Sequence, residues 1–498
     1  MNMNSVTLVF VLLQLFSYMY IITSDINVEL SRVWGPGLTP EKIVMPARYF
    51  FVELVDVNNR RIISDDIELN AIVDGGTKTN KPCRIWTNLL NRKDGSYIVR
   101  YKLYETCSYV KISVTYGNKH LGKSPYIINS PVKSDNCECP TQNIEELIDV
   151  WECGPVPKFI TNKLDVFKKI DWPRQRNELI KKFDQPHSVS LCHYIVKNNK
   201  IYRKCYGKYV GFNMFIDNIL LSLTRKVVLP DLEFFANLGD WPLSTHKLEG
   251  KFPIFSWCGS TESYDIIMPT YDITESTLEN MGRVTLDILS VQGNTDERWE
   301  SRIPKLFWRG RDSNKYRLEL IKIARKYPDL FNASLTNFFF YRDEEAVYGP
   351  KAEHVSFFEF FRYKYQLGID GTVAPYRMPY LLAGGSLLFK PKSKYFEYYY
   401  QDLEPNVHYI PLKEDISDLV DKLKWAIDND EKAKEIAQNG QAFANDNLLP
   451  KNIFCYHFHL FNEFSKIITS KIDILEDMEP VEQKKVEECD CKSQKDEL

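Results

Sequence analysis

With 498 residues the chain has room for several domains, and a 44% hydrophobic content supplies ample material for buried cores. Its 64 basic and 67 acidic residues leave a net charge of −3. That near-balance argues against a nucleic-acid-binding protein, which would carry a basic stripe.

Residues 6–22 are almost unbroken apolar sequence, followed by Thr23-Ser24. This fits a secretory signal spanning residues 1–24 and cleaved near Ser24. The alternative is an uncleaved anchor, although the run is a little short of the roughly 20 residues that span a bilayer. No later stretch is apolar enough to span one, so stable membrane insertion is not expected. Residues 25–132 read as all-β: alternating runs at 44–57, 96–101 and 109–116 are punctuated by the turns Asp94-Gly95 and Gly117-Asn118, the spacing of a β-sandwich. Residues 133–152 form a linker with a cysteine cluster, Cys137-Glu138-Cys139, and Cys153 lies just beyond. A zinc site takes two paired ligand sets and only one tight pair is present. Disulfides are therefore favoured over a metal, and no metal is expected elsewhere. The count of 11 cysteines leaves at least one unpaired or intermolecular.

From about residue 137 to 473, helix-like stretches (144–151, 315–326, 416–427, 431–439) alternate with short apolar runs (254–257, 306–308, 386–389, 408–411). Helices between buried strands predict an α/β fold with a parallel sheet. Cys192 and Cys205 can close a short loop, and the sequon Asn332-Ala333-Ser334 predicts a glycan on Asn332. Residues 474–498 are charged and poor in apolar side chains, which predicts a flexible tail. Within it, Cys489-Asp490-Cys491 reads as a mobile thiol pair or a redox-active one. The tail ends in Lys495-Asp496-Glu497-Leu498, the retrieval tetrapeptide of the endoplasmic reticulum lumen, read by the KDEL receptor.

Four segments can carry chemistry. In residues 367–390, Pro375 suits the first turn of a helix running to Ala383, which Gly384-Gly385 would end. Thr372, Val373, Ala374, Tyr376 and Arg377 then surround a helix N-terminus able to hold a phosphate; an ordinary α/β turn explains the same punctuation. Residues 307–313 deliver Arg309, Gly310, Arg311 and Ser313 at a strand end, where two arginines can neutralise a diphosphate. Asp240 follows an apolar strand, in a turn before Trp241-Pro242; it is a candidate general base or a turn-forming aspartate. Ser256, Trp257, Cys258, Gly259, Ser260 and Thr261 form a strand and small-residue loop that either contacts substrate or is a plain loop.

In this order these segments resemble the CAP10-like protein O-glucosyltransferases of the Rumi type, over roughly residues 153–464. The carrying motifs are Asn237-Leu238-Gly239-Asp240-Trp241-Pro242, Phe307-Trp308-Arg309-Gly310-Arg311, Val373-Ala374-Pro375-Tyr376-Arg377-Met378 and Leu382-Ala383-Gly384-Gly385-Ser386. Trp34-Gly35-Pro36-Gly37-Leu38, with 94–97, 109–114 and 120–126, resembles a filamin-type immunoglobulin repeat over residues 25–132. Filamin-type repeat, catalytic domain at 153–473 and terminal KDEL together resemble the KDEL-containing subgroup of that family. The resemblance implies a metal-independent, inverting transferase of GT-B type, with two Rossmann-like lobes facing across a cleft. UDP-glucose is the implied donor, UDP-xylose the alternative, and the acceptor a serine of a folded EGF-like repeat. It implies Asp240 as base, Arg309 and Thr372 to Arg377 at the donor, and Ser256 to Thr261 facing the acceptor, although Cys258-Gly259 departs from the family pattern. It also implies that Cys455 bridges to Cys137, Cys139 or Cys153. The competing reading is a non-enzymatic client-binding module of the endoplasmic reticulum.

Overall fold

The computed structural model describes residues 26–63, 67–185, 191–207, 210–279, 287–295, 298–483, 489 and 491. The predicted signal at 1–24 (Ile26 being the first residue described) and the retrieval tetrapeptide at 495–498 lie outside the described residues. Among the described residues no helix is long and apolar enough to cross a membrane.

Two antiparallel sheets build the N-terminal unit. One runs Arg32–Trp34, Arg48–Glu53, Ser96–Leu103, Ile85–Asn91; the other pairs Leu69–Gly76 with Tyr109–Tyr116, whose far edge takes Lys119–His120 and Tyr126–Ile128. The alternation read in the sequence is what closes the sandwich. Val110, Ile112 and Val114 point into a core shared with Phe50, Val52, Val99 and Tyr101, while Tyr109 and Lys111 face outward. Buried Arg48 donates to the carbonyls of Met45, Pro40 and Lys133, stitching the sandwich to the linker.

The rest of the chain folds into two α/β lobes. The first has a six-stranded sheet: Ile266–Ile267, Ile254–Ser256, Leu232–Asn237, Leu191–Lys197, Lys200–Tyr206, Glu479–Val481. Its first three strands are parallel; the others are antiparallel. The second lobe has five parallel strands in the order Phe331–Asn337, Ile303–Arg311, Tyr363–Leu367, Leu387–Pro391, Ile410–Leu412. From the second lobe the chain returns to the first through the helix Pro450–Ile467. Phe454, Phe458, Phe461 and Phe464 recur on that helix at helical spacing and are fully or almost fully buried. Trp151 meets Phe454 and Phe458 edge-on at 5.6 and 5.4 Å.

The disulfides correct the reading of the tail. Cys153 is the partner of Cys455, and Cys192–Cys205 closes its hairpin. Cys489 and Cys491 are no mobile thiol pair: they bridge to Cys137 and Cys139. The chain beyond residue 473 adds the edge strand Glu479–Val481, with Glu479 paired to Arg203 and Asp477 to Lys204. The low apolar content of this stretch reflects an edge strand held by main-chain bonds, ion pairs and disulfides instead of burial. A boundary at 473 therefore cuts through the folded unit. With Cys83–Cys107 also bridged, the odd thiol is the buried Cys258.

Candidate active site

A cleft of about 770 Å³ separates the lobes. The first lobe contributes Asp240 and Trp241, just after the strand Leu232–Asn237, and Tyr271 and Asp272, which open the helix Tyr271–Leu278. The second contributes Arg309, Gly310 and Arg311 from the C-terminal end of Ile303–Arg311, then Ser313, Arg317 and the loop 371–377. Parallel strands present ligand sites at their C-terminal ends, and the cleft sits there.

Asp240 is held from below and from across the cleft. Asn237 shapes its turn: the Nδ2 group donates to the Trp241 carbonyl at 2.7 Å, and Oδ1 accepts from Gly239 N at 2.8 Å. Opposite, Thr372 Oγ1 donates to Asp240 Oδ2 at 3.0 Å, joining the two lobes. Burial, then the Asp240 charge, pushes the Tyr271 hydroxyl up to about 12.

Four arginines line the cleft, Arg309, Arg311, Arg317 and Arg377, against two carboxylates, Asp240 and Asp272. Arg377 Nη1 donates to the Arg309 carbonyl at 2.7 Å. Burial lowers the Arg377 pKa to about 10, with Asp272 opposing. Burial, and next Arg377, lowers that of Arg317 to about 9. The Arg317 guanidinium donates to the carbonyls of Asp370, Arg311 and Ile369 and lies over the Trp308 ring. Cations crowded into a partly dry site are relieved by an arriving anion, and a diphosphate fits that need.

Several sequence expectations change. The helix after the loop is Met378–Ala383, with Pro379 and not Pro375 in its first turn. Either proline is tolerated there, and the second one is used. Residues 371–377 are thus an irregular loop, with Arg377 as the N-cap; Gly385 takes the positive φ, 68°. Ser256, Trp257, Cys258, Gly259 and Ser260 are buried, Thr261 is exposed, and none of the six lines the cleft. Ser256 Oγ donates to Asp265 Oδ1 at 2.6 Å and accepts from Asn237 at 3.1 Å, bracing the Asp240 turn. Cys258 packs against Val373 and Ala374 of the 371–377 loop. A Cβ on Gly259 would meet Phe396 at 2.6 Å and Ile267 at 2.8 Å, so a larger residue there needs both neighbours to shift. Asn332 is also inward: its Nδ2 donates to Tyr363 Oη at 2.7 Å, and its Oδ1 accepts from Arg309 Nη2 at 2.7 Å. The half-buried sequon side chain thus helps to position Arg309 through Oδ1, while its Nδ2 is held by Tyr363.

Arg317, Tyr271, Asp272, Phe339 and Phe340 are cleft residues that the sequence reading missed. One signal was there for Arg317: it lies near the start of the helix Lys315–Lys326, where the dipole disfavours a cation unless something else holds it.

Beneath the loop, Glu397 is fully buried, and Tyr399 Oη donates to its Oε1 at 3.3 Å. Burial raises its carboxyl from 4.5 to about 8. The folded state holds this proton more tightly than the unfolded state. Its stabilising contribution is therefore complete below about pH 4.5 and is lost as pH rises through about 8. Glu397→Gln is expected to flatten the fall in thermal midpoint over that window relative to the parent, measured by thermal unfolding across the pH range.

The sequence model of the Glycosyl transferase family 90 matches residues 149–497, and that of the Filamin/ABP280 repeat matches residues 25–127. The chain is a glycosyltransferase with a filamin-type domain in front, and it belongs to glycosyl transferase family 90. It is 48% identical over 458 residues to Protein O-glucosyltransferase 2 of Danio rerio, covering 91% of this chain and 90% of that one. It is 42% identical over 466 residues to Protein O-glucosyltransferase 3 of Homo sapiens, covering 92% and 91%. Identity to Protein O-glucosyltransferase 1 of Homo sapiens is 28% over 351 residues, or 69% and 83% of the two chains.

Proposed function

We propose that this chain transfers glucose from UDP-glucose to serine hydroxyls of folded EGF-like repeats, with inversion at the anomeric carbon. The observation that carries the reading is the juxtaposition, across one cleft, of Asp240 and an arginine cluster, joined by the Thr372–Asp240 hydrogen bond. A serine hydroxyl is a poor nucleophile, so Asp240 takes its proton as the oxygen attacks the anomeric carbon. The bond to the UDP oxygen breaks on the opposite face. The charge that collects on UDP is met by Arg309, Arg311 and Arg377 with the Thr372 to Tyr376 loop, and Arg317 adds positive potential behind them. This assigns the charge work to side chains and needs no metal. UDP-xylose remains the alternative donor, since the two sugars differ by one hydroxymethyl group. The names of the relatives support a glucosyl donor and a protein acceptor, and the five disulfides support an oxidising lumen. The retrieval tetrapeptide supports residence in the endoplasmic reticulum and binding to the KDEL receptor.

The acceptor side of the cleft is apolar and open. Phe339 and Phe340 are 53% and 50% exposed and Trp241 is 47% exposed. The buried Asp312 carboxylate accepts the backbone N–H groups of Phe339, Phe340 and Tyr341, which presents the two rings rigidly at the cleft. Exposed aromatics held in place suit a folded protein surface. The decisive experiment incubates the full chain with UDP-glucose or UDP-xylose and a folded or a reduced EGF repeat, read by intact mass. One hexose on the folded repeat is expected. Pentose only, or equal labelling of the reduced repeat, rejects the reading. The pair Phe339→Ala and Phe340→Ala is expected to raise the acceptor KM by about tenfold or more. It leaves UDP-glucose hydrolysis unchanged, which a loss of donor contacts would not.

A further inference from the structure

The filamin-type domain touches the transferase where the cleft is assembled. On its strand Ser96–Leu103, Arg100 and Lys102 alternate onto one face. Arg100 Nη1 lies 3.1 Å from Asp287 Oδ2 and donates to Ser290 Oγ at 2.8 Å, with the ion pair almost wholly buried. Asp287 is also the N-cap of the helix Ile288–Gly293, its side chain accepting from Ser290 N. Lys102 pairs with Glu279, the residue that ends the helix Tyr271–Leu278 in a left-handed conformation at φ 53°. Two basic side chains of one strand thus hold the end of one transferase helix and the start of the next. The packing between them is close: a Cβ on Gly293 would meet Leu90 of the filamin-type sheet at 2.6 Å.

Both helices lead to the cleft. Tyr271–Leu278 opens with Tyr271 and Asp272, which line it. Ile288–Gly293 packs on Met378–Ala383, whose N-cap is Arg377. The two cleft helices also touch each other, Tyr380 Oη lying 3.4 Å from Ser276 Oγ. We propose that the filamin-type domain is a working part of the active site: Arg100 and Lys102 are positioning residues that set the helices carrying Tyr271, Asp272 and Arg377 into the cleft. A domain serving only to capture clients or tether the enzyme would have no need to cap these two elements with buried charge. Rigid coupling through packed helices is the physical route, since a shift of about 1 Å at catalytic groups can cost on the order of a hundredfold.

The test uses the full chain. Arg100→Ala and Lys102→Ala are expected to weaken UDP binding and lower kcat with UDP-glucose, each by about tenfold or more. Arg100→Lys keeps the charge and recovers part of the loss. Lys102→Glu combined with Glu279→Lys restores the pair; Asp287 is left unswapped because it also caps a helix. Hydrogen–deuterium exchange is the second readout. In Arg100→Ala, exchange is expected to quicken in 271–278 and 378–383 as well as at the interface. Exchange confined to 85–103 and 288–293, with UDP affinity at the parent value, overturns the proposal. The binding readout rests on the nucleotide-sugar reading of the cleft and the exchange readout does not. A chain that never binds UDP therefore refutes that reading alone, and exchange still decides the positioning role.

Discussion

Asp240→Asn is expected to lower kcat for protein glucosylation by about 10²–10⁴-fold, the range that a positioned general base supplies, with UDP affinity and thermal midpoint close to the parent. The substitution keeps the shape of the side chain and its ability to accept from Thr372 Oγ1, now 3.0 Å from Oδ2. What is lost is a group able to take the serine proton. Asp272 is the other carboxylate lining the cleft, and its situation differs. Burial raises its pKa, and its partners are Tyr380 and Arg377, which line the cleft opposite Asp240 and are proposed to face the donor. Asp272→Asn is therefore expected to act mainly on donor KM, so the two variants separate in kcat and KM. An Asp240→Asn enzyme with undiminished kcat removes the base assignment. Collapse of both variants to the same residual rate with the same KM values makes the carboxylates one unit instead of two.

Residues that stand in contiguous motifs were visible in the sequence, because one local segment carries several of them. Asp240 with Trp241, Arg309 with Arg311, and Thr372 to Arg377 all line one cleft. The residues that went unseen sit in elements whose local pattern is satisfied by an ordinary role. Tyr271 and Asp272 start an unexceptional helix, Arg317 lies in another, and Phe339-Phe340 sits in a turn. Only tertiary assembly brings them to one wall. Ser256 misled in the opposite direction. A polar residue at a strand end reads as a ligand group, yet here it is fully buried and both of its hydrogen bonds go to side chains that shape the Asp240 turn. One helix was read too short. The helix read as 431–439, stopping before Gly440, runs over Asp430–Asn447. Gly440 lies inside it, where a Cβ would come within 2.8 Å of the His408 carbonyl. In the sandwich the period-two pattern was enough, since Val110, Ile112 and Val114 of Tyr109–Tyr116 enter one core.

Arg377→Ala is expected to cost about 3 kcal/mol of transition-state stabilisation, roughly a hundredfold in kcat, with a parallel loss of UDP affinity. Among the four arginines it is the one placed to act on both steps. It stands at the N-cap of the helix Met378–Ala383, anchors by Nη1 to the carbonyl of Arg309, and lines the cleft. Burial already holds its pKa down to about 10, so the free enzyme carries a poorly solvated cation that a diphosphate would pair. Lysine cannot bond the Arg309 carbonyl and reach a phosphate with the same planar fork, so Arg377→Lys is expected to recover little. Arg311 is exposed at the strand end; its alanine variant is expected to lose less, and to lose it in a salt-dependent way. Arg317→Ala should instead lower thermal stability along with UDP affinity, because the carbonyls of Ile369 and Asp370 would lose their donor. Titration of UDP into each variant, beside kcat at saturating donor, separates these outcomes. Arg377→Ala with unaltered UDP affinity would move the diphosphate away from this wall of the cleft.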